Sequence, residues 1–258
     1  FDKLAERREG SLRYAEWNYG PQKRLLISPR YVFNTSSKWL REGTITWAYQ
    51  NLEESRIKRK FGSLSRESQI EKLNVFSLNA DLLANTKQGR KLAYGVEFTH
   101  NQLQSSAFSQ SLQIFHNRIV GLDSKTPIPS RYPSDGSSYT ALAGYGDYRI
   151  DLSPKSTLDL GLRLTHTRLE ARWKDQALID ARLDMAKNQN NALNASIGYV
   201  YRPTSQWEWR GVLASGFRAP NIDDIGKIRE NQGRISVPNP HLKPEYAYTF
   251  DLGITRFF

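Results

Sequence analysis

Two proline-marked segments near the carboxyl end hold the residues best placed to grip something. The first runs Gly216-Phe217-Arg218-Ala219-Pro220-Asn221; the second runs Val237-Pro238-Asn239-Pro240-His241-Leu242-Lys243-Pro244-Glu245. Arg218, Lys227, Arg229, Arg234 and Lys243 make the stretch basic, which favours an anionic partner. His241 brings the one imidazole near both segments, and a lone imidazole can ligate iron. Pro220 has no N–H and stops ladder pairing, while Pro238, Pro240 and Pro244 push their preceding residues toward extended geometry. Phe217, Arg218, Ala219, Pro220, Asn221, Asn239, Pro240 and His241 therefore form the candidate site. We read both segments as loop-folding devices that set a rim; direct ligand contact is the competing reading.

Enzyme chemistry finds no purchase elsewhere. There is no G-x-S-x-G, no H-E-x-x-H and no Walker loop, since Ile228 follows Gly226-Lys227. Gly144-Tyr145-Gly146 lacks the third glycine and a following helix, so it is a strand feature. His100, His116 and His166 are scattered without metal-ligand spacing. Cysteine is absent, which removes disulfides and thiolate metal sites. We expect no catalytic residue, no resident metal and no cofactor.

The elements that must position the two segments announce themselves by period-two alternation. Leu158, Leu160, Leu162 and Leu164 share a face, opposite Asp159, Gly161 and Arg163. Trp207, Trp209, Leu213 and Phe217 oppose Glu208, Arg210 and Arg218. Similar runs cover Leu25 to Phe33, Ile45 to Tyr49, Phe76 to Leu82, Leu92 to Thr99, Leu142 to Leu152, Leu193 to Tyr201 and Tyr246 to Thr255. Pro29 inside the first marks an edge or a bulge. One face suited to oil and one to water predicts antiparallel strands with a lipid side and a wet side. Asp147, Asp151 and Asp159 fall on the wet side as solvated charges.

Composition agrees. The chain has 258 residues, 37 Lys and Arg against 26 Asp and Glu, and a formal charge of +11. Those charges are scattered; the one dense run, Arg56 to Lys60, reads as a solvated loop rather than a nucleic-acid footprint. No apolar run is long enough for a membrane-crossing helix, but a β-barrel needs apolar residues only at alternate positions. Short links (34–43, 85–90, 153–156, 202–205) alternate with long ones (54–68, 116–137, 173–190, 219–243). Long loops on one rim and short turns on the other is the pattern of outer-membrane barrels. Aromatic residues near the run ends, such as Trp39, Trp47, Trp173, Trp207, Tyr139, Tyr201 and Tyr246, fit either an interfacial girdle or plain strand preference.

The two proline segments, Phe217 to Asn221 and Asn239 to Glu245, resemble the paired FRAP and NPxL-KPE boxes in the barrel of TonB-dependent outer-membrane receptors. Residues 1–4, Ala15-Glu16-Trp17, Tyr19 to Gln22, Ala48-Tyr49-Gln50 and Glu53 to Arg56 resemble the same family. The resemblance implies an all-β, antiparallel transmembrane barrel located in the outer membrane, of which residues 1–258 supply about nine strands out of about 22. It implies that the terminal strands and the plug domain that engages TonB lie outside the chain. The implied function is energised uptake of a scarce nutrient: a ferric siderophore or similar anionic chelate, with haem as a second candidate. In the haem branch a histidine ligand lies between the two boxes; residues 223–238 here hold neither histidine nor tyrosine. The expected partners are the TonB complex, membrane lipid, lipopolysaccharide and a small-molecule chelate, and no nucleic acid. Competing readings are a standalone small barrel or adhesin, supported by the terminal Phe258, and a soluble polyanion-binding β-domain.

Overall fold

The computed structural model describes residues 7–8, 11–116, 118–174, 185–226, 229–231, 234–236 and 238–258. Residues 1–4, Lys227, Val237 and the side chains of Arg229 and Arg234, all invoked above, lie outside the described parts, as does most of the 173–190 link.

In chain order the strands are β1 (Arg7–Arg8), β2 (Ser11–Leu12), β3 (Tyr14–Tyr19), β4 (Lys23–Ile27), β5 (Arg30–Asn34), β6 (Glu42–Lys60), β7 (Ser65–Leu83) and β8 (Arg90–Phe115). They continue with β9 (Arg118–Leu122), β10 (Thr126–Pro127), β11 (Ser137–Ser153), β12 (Ser156–Arg172), β13 (Met185–Thr204) and β14 (Trp207–Arg218). After β14 come a short helix α1 (Ile222–Ile225), β15 (Arg229–Asn231), β16 (Arg234–Ser236) and β17 (Glu245–Arg256).

One antiparallel sheet dominates, in the order β17-β14-β13-β12-β11-β8-β7-β6, with β3, β4 and β5 lying end to end along the last edge. These nine positions are the nine alternating runs of the sequence. Pro29 falls between β4 and β5, where the ladder is interrupted, and its carbonyl accepts from the Trp47 N–H at 3.2 Å. Among the described residues no ladder joins the β3–β5 edge to β17, so the sheet is an open arc and not a closed barrel.

Register fixes the two faces. Ile45, Ala80, Val96, Gly144, Leu164 and Leu193 lie opposite one another across successive ladders, and Ile197, Leu213 and Phe250 continue the row. This face is greasy and bare: Val96 is 54%, Leu164 59% and Phe250 67% exposed. A monomer in water does not leave so large an apolar surface open. Among the described residues no helix or second sheet covers Leu160 and Leu162, which the soluble-domain reading required. The outward row is the lipid face.

The inward face is polar. Tyr145 donates to Asp81, Arg163 pairs with Glu97, and Arg149 sits 3.7 Å from Asp159. Asp147, Asp151 and Asp159 lie on this side as expected. At Gly43 an outward Cβ would collide with the Phe33 ring of the neighbouring strand, so the end of that ring takes the space the bare glycine leaves.

The short links hold at residues 35–41, 84–89, 154–155 and 205–206, the last displaced because β13 runs on through Pro203 to Thr204 with an irregular register. The long links 116–136 and 219–244 also hold. One expectation fails. Residues 54–68 are not a long loop, and Arg56 to Lys60 is not a loop run: β6 and β7 stay paired out to Lys58 and Glu67, leaving a tight turn at 61–64. About 9–11 residues cross the hydrocarbon, so strands such as β8 project far past it. In water on both faces a strand needs ladder partners but no apolar alternation, and pattern reading misses it. Similarly β13 begins at Met185, ahead of the expected Asn190. Link 116–136 folds back as β9 and β10 along the part of β8 that β11 leaves unpaired beyond Leu103.

Candidate functional site

At the long-loop rim the inner face of the arc is capped by link 219–244. Its first element is built by Asn221. The Asn221 side-chain oxygen accepts from the Asp223 and Asp224 N–H groups at 2.8 and 3.1 Å, and an Asp224 carboxylate oxygen accepts back from the Asn221 N–H at 3.0 Å. This reciprocal box starts α1 in the polar sequence Asn-Ile-Asp-Asp. Ile225, 0% exposed, then drops into a small core formed by Leu169, Ala171 and Ala186 on the inner faces of β12 and β13. Trp173, Tyr139, Ile222 and Leu242 close around it.

Arg218 ties the two proline segments together. One guanidinium nitrogen donates to both Asp224 oxygens at 2.9 and 2.7 Å, and the other donates to Glu245 at 2.9 Å. The second segment is clasped from below: the Asn188 amide donates to the carbonyls of Pro240 and Leu242, each at 3.0 Å. Asn239 accepts from the His241 N–H at 3.0 Å, and its own N–H donates to the Ile225 carbonyl at 3.1 Å.

Beneath this cap lies a cavity of about 970 Å³. Arg218, Ala219 and Asn221 line it, together with Ile222 and Asp223. The other candidates sit elsewhere. Phe217 points to the lipid side, with its ring centroid 5.7 Å from that of Tyr246. Pro220 is buried, His241 is exposed, and Asn239, Pro240 and His241 do not line the cavity.

The opposite wall comes from the projecting parts of β6, β7 and β8. Both carboxylate oxygens of Glu71, the Nε of Arg56 and the Oδ1 of Asn101 are buried there without a protein hydrogen-bond partner. Glu71 lies five residues beyond the lipid-facing Phe76, outside the membrane-spanning part of β7. Burial pushes its carboxyl above the ordinary carboxylate range, and nearby Arg56 offsets only part of that. A second loop roofs the space: the Tyr132 hydroxyl donates to Asp223 at 2.7 Å. Burial first, then that bonded carboxylate, raises the Tyr132 phenol above its ordinary value.

Charge in the cavity is balanced, with Arg24, Arg56 and Arg218 facing Glu54, Glu71 and Asp223. The basic character expected from the loop sequence is thus largely neutralised within the described residues. Such a wall binds by directed hydrogen bonds more than by net charge. Sequence reasoning missed Glu71, Asn101, Asn188 and Tyr132, and it missed Asp224, although Asn221 with an acid three residues on is a legible helix-start signal.

Comparison with known proteins places this geometry. The profile of the family described as "TonB dependent receptor-like, beta-barrel" matches residues 3–258. Among solved structures, the copper transporter OprC aligns with a TM-score of 0.72 at 14% identity over 92% of this chain and 37% of its own. The siderophore receptor PiuA from Acinetobacter baumannii aligns with a TM-score of 0.66 at 15% identity over 96% and 39%. The Serratia marcescens hemophore receptor HasR, solved with its hemophore HasA and heme, aligns with a TM-score of 0.59 at 12% identity over 90% and 36%. The chain therefore spans less than two fifths of the length of each of these three. No curated protein matches it.

Proposed function

Because this chain belongs to the TonB-dependent receptor-like β-barrel family and forms part of an outer-membrane barrel wall, we propose that it serves TonB-dependent uptake of a small chelate, a ferric siderophore being the best fit. In this reading the remaining strands attach at the unpaired edges of β17 and of β3–β5. A plug domain outside this chain engages TonB and relays its energy. The proline segments shape the mouth, and Arg218, Ala219 and Asn221 form one lip of the ligand chamber. Transport, not bond-making, is the work of the site.

The observation that carries the proposal is the capped cavity at the long-loop rim. Its volume suits a chelate of several hundred daltons, within the range of small-molecule sites. Its wall mixes Leu52, Leu73 and Leu103 with unsatisfied acceptors and a guanidinium donor, as a polar ligand with an apolar frame requires. Haem stands second, since His241 does not line the cavity.

Uptake of radioiron-loaded siderophores by cells that carry or lack the full receptor tests this. Uptake should depend on both the receptor and an intact TonB. Equal accumulation of every ferric chelate with and without the receptor sinks the siderophore assignment.

A further inference from the structure

The inner faces of β6, β7 and β8 are ordered in rows, because residues paired across a ladder point the same way. Glu54, Glu71 and Ser105 form one row at the cavity wall. Leu52, Leu73 and Leu103 form the next row toward the membrane, about 7 Å farther along each strand. Gln50, Val75 and Asn101 form the one after. Two carboxylates thus stand directly opposite each other, an arrangement that like charges disfavour. An apolar strip lies beside them.

Partners are unevenly shared among the groups of this wall. Arg218 is engaged by Asp224 and Glu245, Arg24 by Gln50 at 2.7 Å and Arg56 by Glu54 at 3.1 Å. Among the acids, Asp223 accepts from Tyr132 and lies 3.7 Å from Arg131. Glu71 is only 8% exposed, and among the described residues neither of its oxygens has an ion pair or a hydrogen bond. The buried atoms left open around the cavity are three acceptors, the Glu71 oxygens and Asn101 Oδ1, against one donor, Arg56 Nε. A carboxylate taken from water without a partner is costly, so a ligand donor gains most at Glu71.

A metal ion is a poor fit for this spot. Among the described residues no third carboxylate or imidazole joins Glu54 and Glu71, and a hard cation such as calcium takes about six to eight oxygens. It would also leave the leucine row unused. An ammonium on an alkyl stem uses both rows, giving its N–H donors to the carboxylates and its methylenes to the leucines. Arg56, one row farther out, has its charge met by Glu54 and leaves Glu71 uncompensated.

We infer that the chamber selects a chelate carrying a free alkylammonium arm, the ammonium held by Glu71 and Glu54 and its stem laid along Leu52, Leu73 and Leu103. The inference rests on the chelate-uptake reading above and narrows it. It also reverses the charge of the recognised group: the loop sequence favoured an anion, whereas the buried wall seeks a cation.

The test measures calorimetric binding of two ferric linear trihydroxamates to the purified full receptor, one with a free terminal amine and the same chelate N-acetylated. The free amine should bind about ten- to a hundredfold tighter, the range for a hydrogen bond to a charged group. Glu71→Gln should erase that preference, leaving both chelates near the wild-type affinity for the acetylated form. Equal affinity of the two chelates for wild type overturns the inference and leaves siderophore uptake standing. An undiminished preference in Glu71→Gln overturns it as well. Binding of neither chelate also overturns it, and the radioiron experiment then decides separately whether any ferric chelate is carried. Should Glu71→Gln fail to fold, judged by lost heat-modifiable gel mobility, Glu54→Gln takes its place and should lose most of the preference.

Discussion

Arg218 and Glu245 face each other across the ends of β14 and β17 at 2.9 Å, closing the neck of link 219–244. The same guanidinium reaches forward to Asp224, so the strand end, the helix start and the return strand meet at one side chain. An exposed ion pair alone is worth little. Here the planar fork of arginine makes three directed bonds, which lysine cannot reproduce.

Arg218→Lys should therefore loosen the cap without unfolding the wall. Limited proteolysis should cut within 219–244 faster in the variant, while the heat-modifiable mobility of the full receptor stays unchanged. Wild-type resistance to cleavage would show that the network is ornamental.

Ile225 gives the cap its apolar anchor. Ile225→Ala removes a fully buried side chain against Leu169 and should cost about 2–5 kcal/mol of local docking. Hydrogen exchange at residues 222–226 should accelerate accordingly, with protection in β12 and β13 retained. Global loss of protection would mean that this cluster holds up the wall itself.

Much of this was legible in the sequence, for a physical reason. Where a strand has oil on one side and water on the other, alternation is enforced, so Leu158 to Leu164 and the eight companion runs could be read directly. Beyond the membrane nothing enforces it, and Arg56 to Lys60 passed for a loop though it pairs with β7. The proline segments were found as motifs, and Arg218, Ala219 and Asn221 do reach the cavity. Glu71 and Asn101 stayed hidden because their interest lies in what surrounds them across three strands, and no local spacing encodes that.

Glu71 links stability to acidity. Its carboxyl is raised by burial, so the folded protein binds a proton more tightly than the unfolded chain does. Stability contributed here is present in acid and declines as pH climbs from the ordinary carboxylate value through the raised one. Glu71→Gln keeps the shape without the charge and should flatten that slope, seen as a weaker pH dependence of hydrogen exchange in β7. It should also stabilise the wall near neutral pH, by up to about 1–3 kcal/mol if the buried charge is uncompensated. If the carboxylate receives a ligand donor, uptake through the variant should fall as well.

The assignment of faces can be tested independently of any ligand by single-cysteine labelling, to which these 258 residues add no cysteine of their own. Leu162 and Arg163 are adjacent on β12 and point to opposite sides, Leu162 outward at 52% exposure and Arg163 toward Glu97. In the full receptor held in native membranes, Leu162→Cys should resist a charged, water-soluble maleimide and react with a lipid-soluble one. Arg163→Cys should show the opposite preference once the lumen is opened by mild denaturant, whereas Leu162→Cys should remain shielded by lipid. Ready labelling of Leu162→Cys by the charged reagent in intact membranes would place water where hydrocarbon is required, and the barrel reading would fall with it.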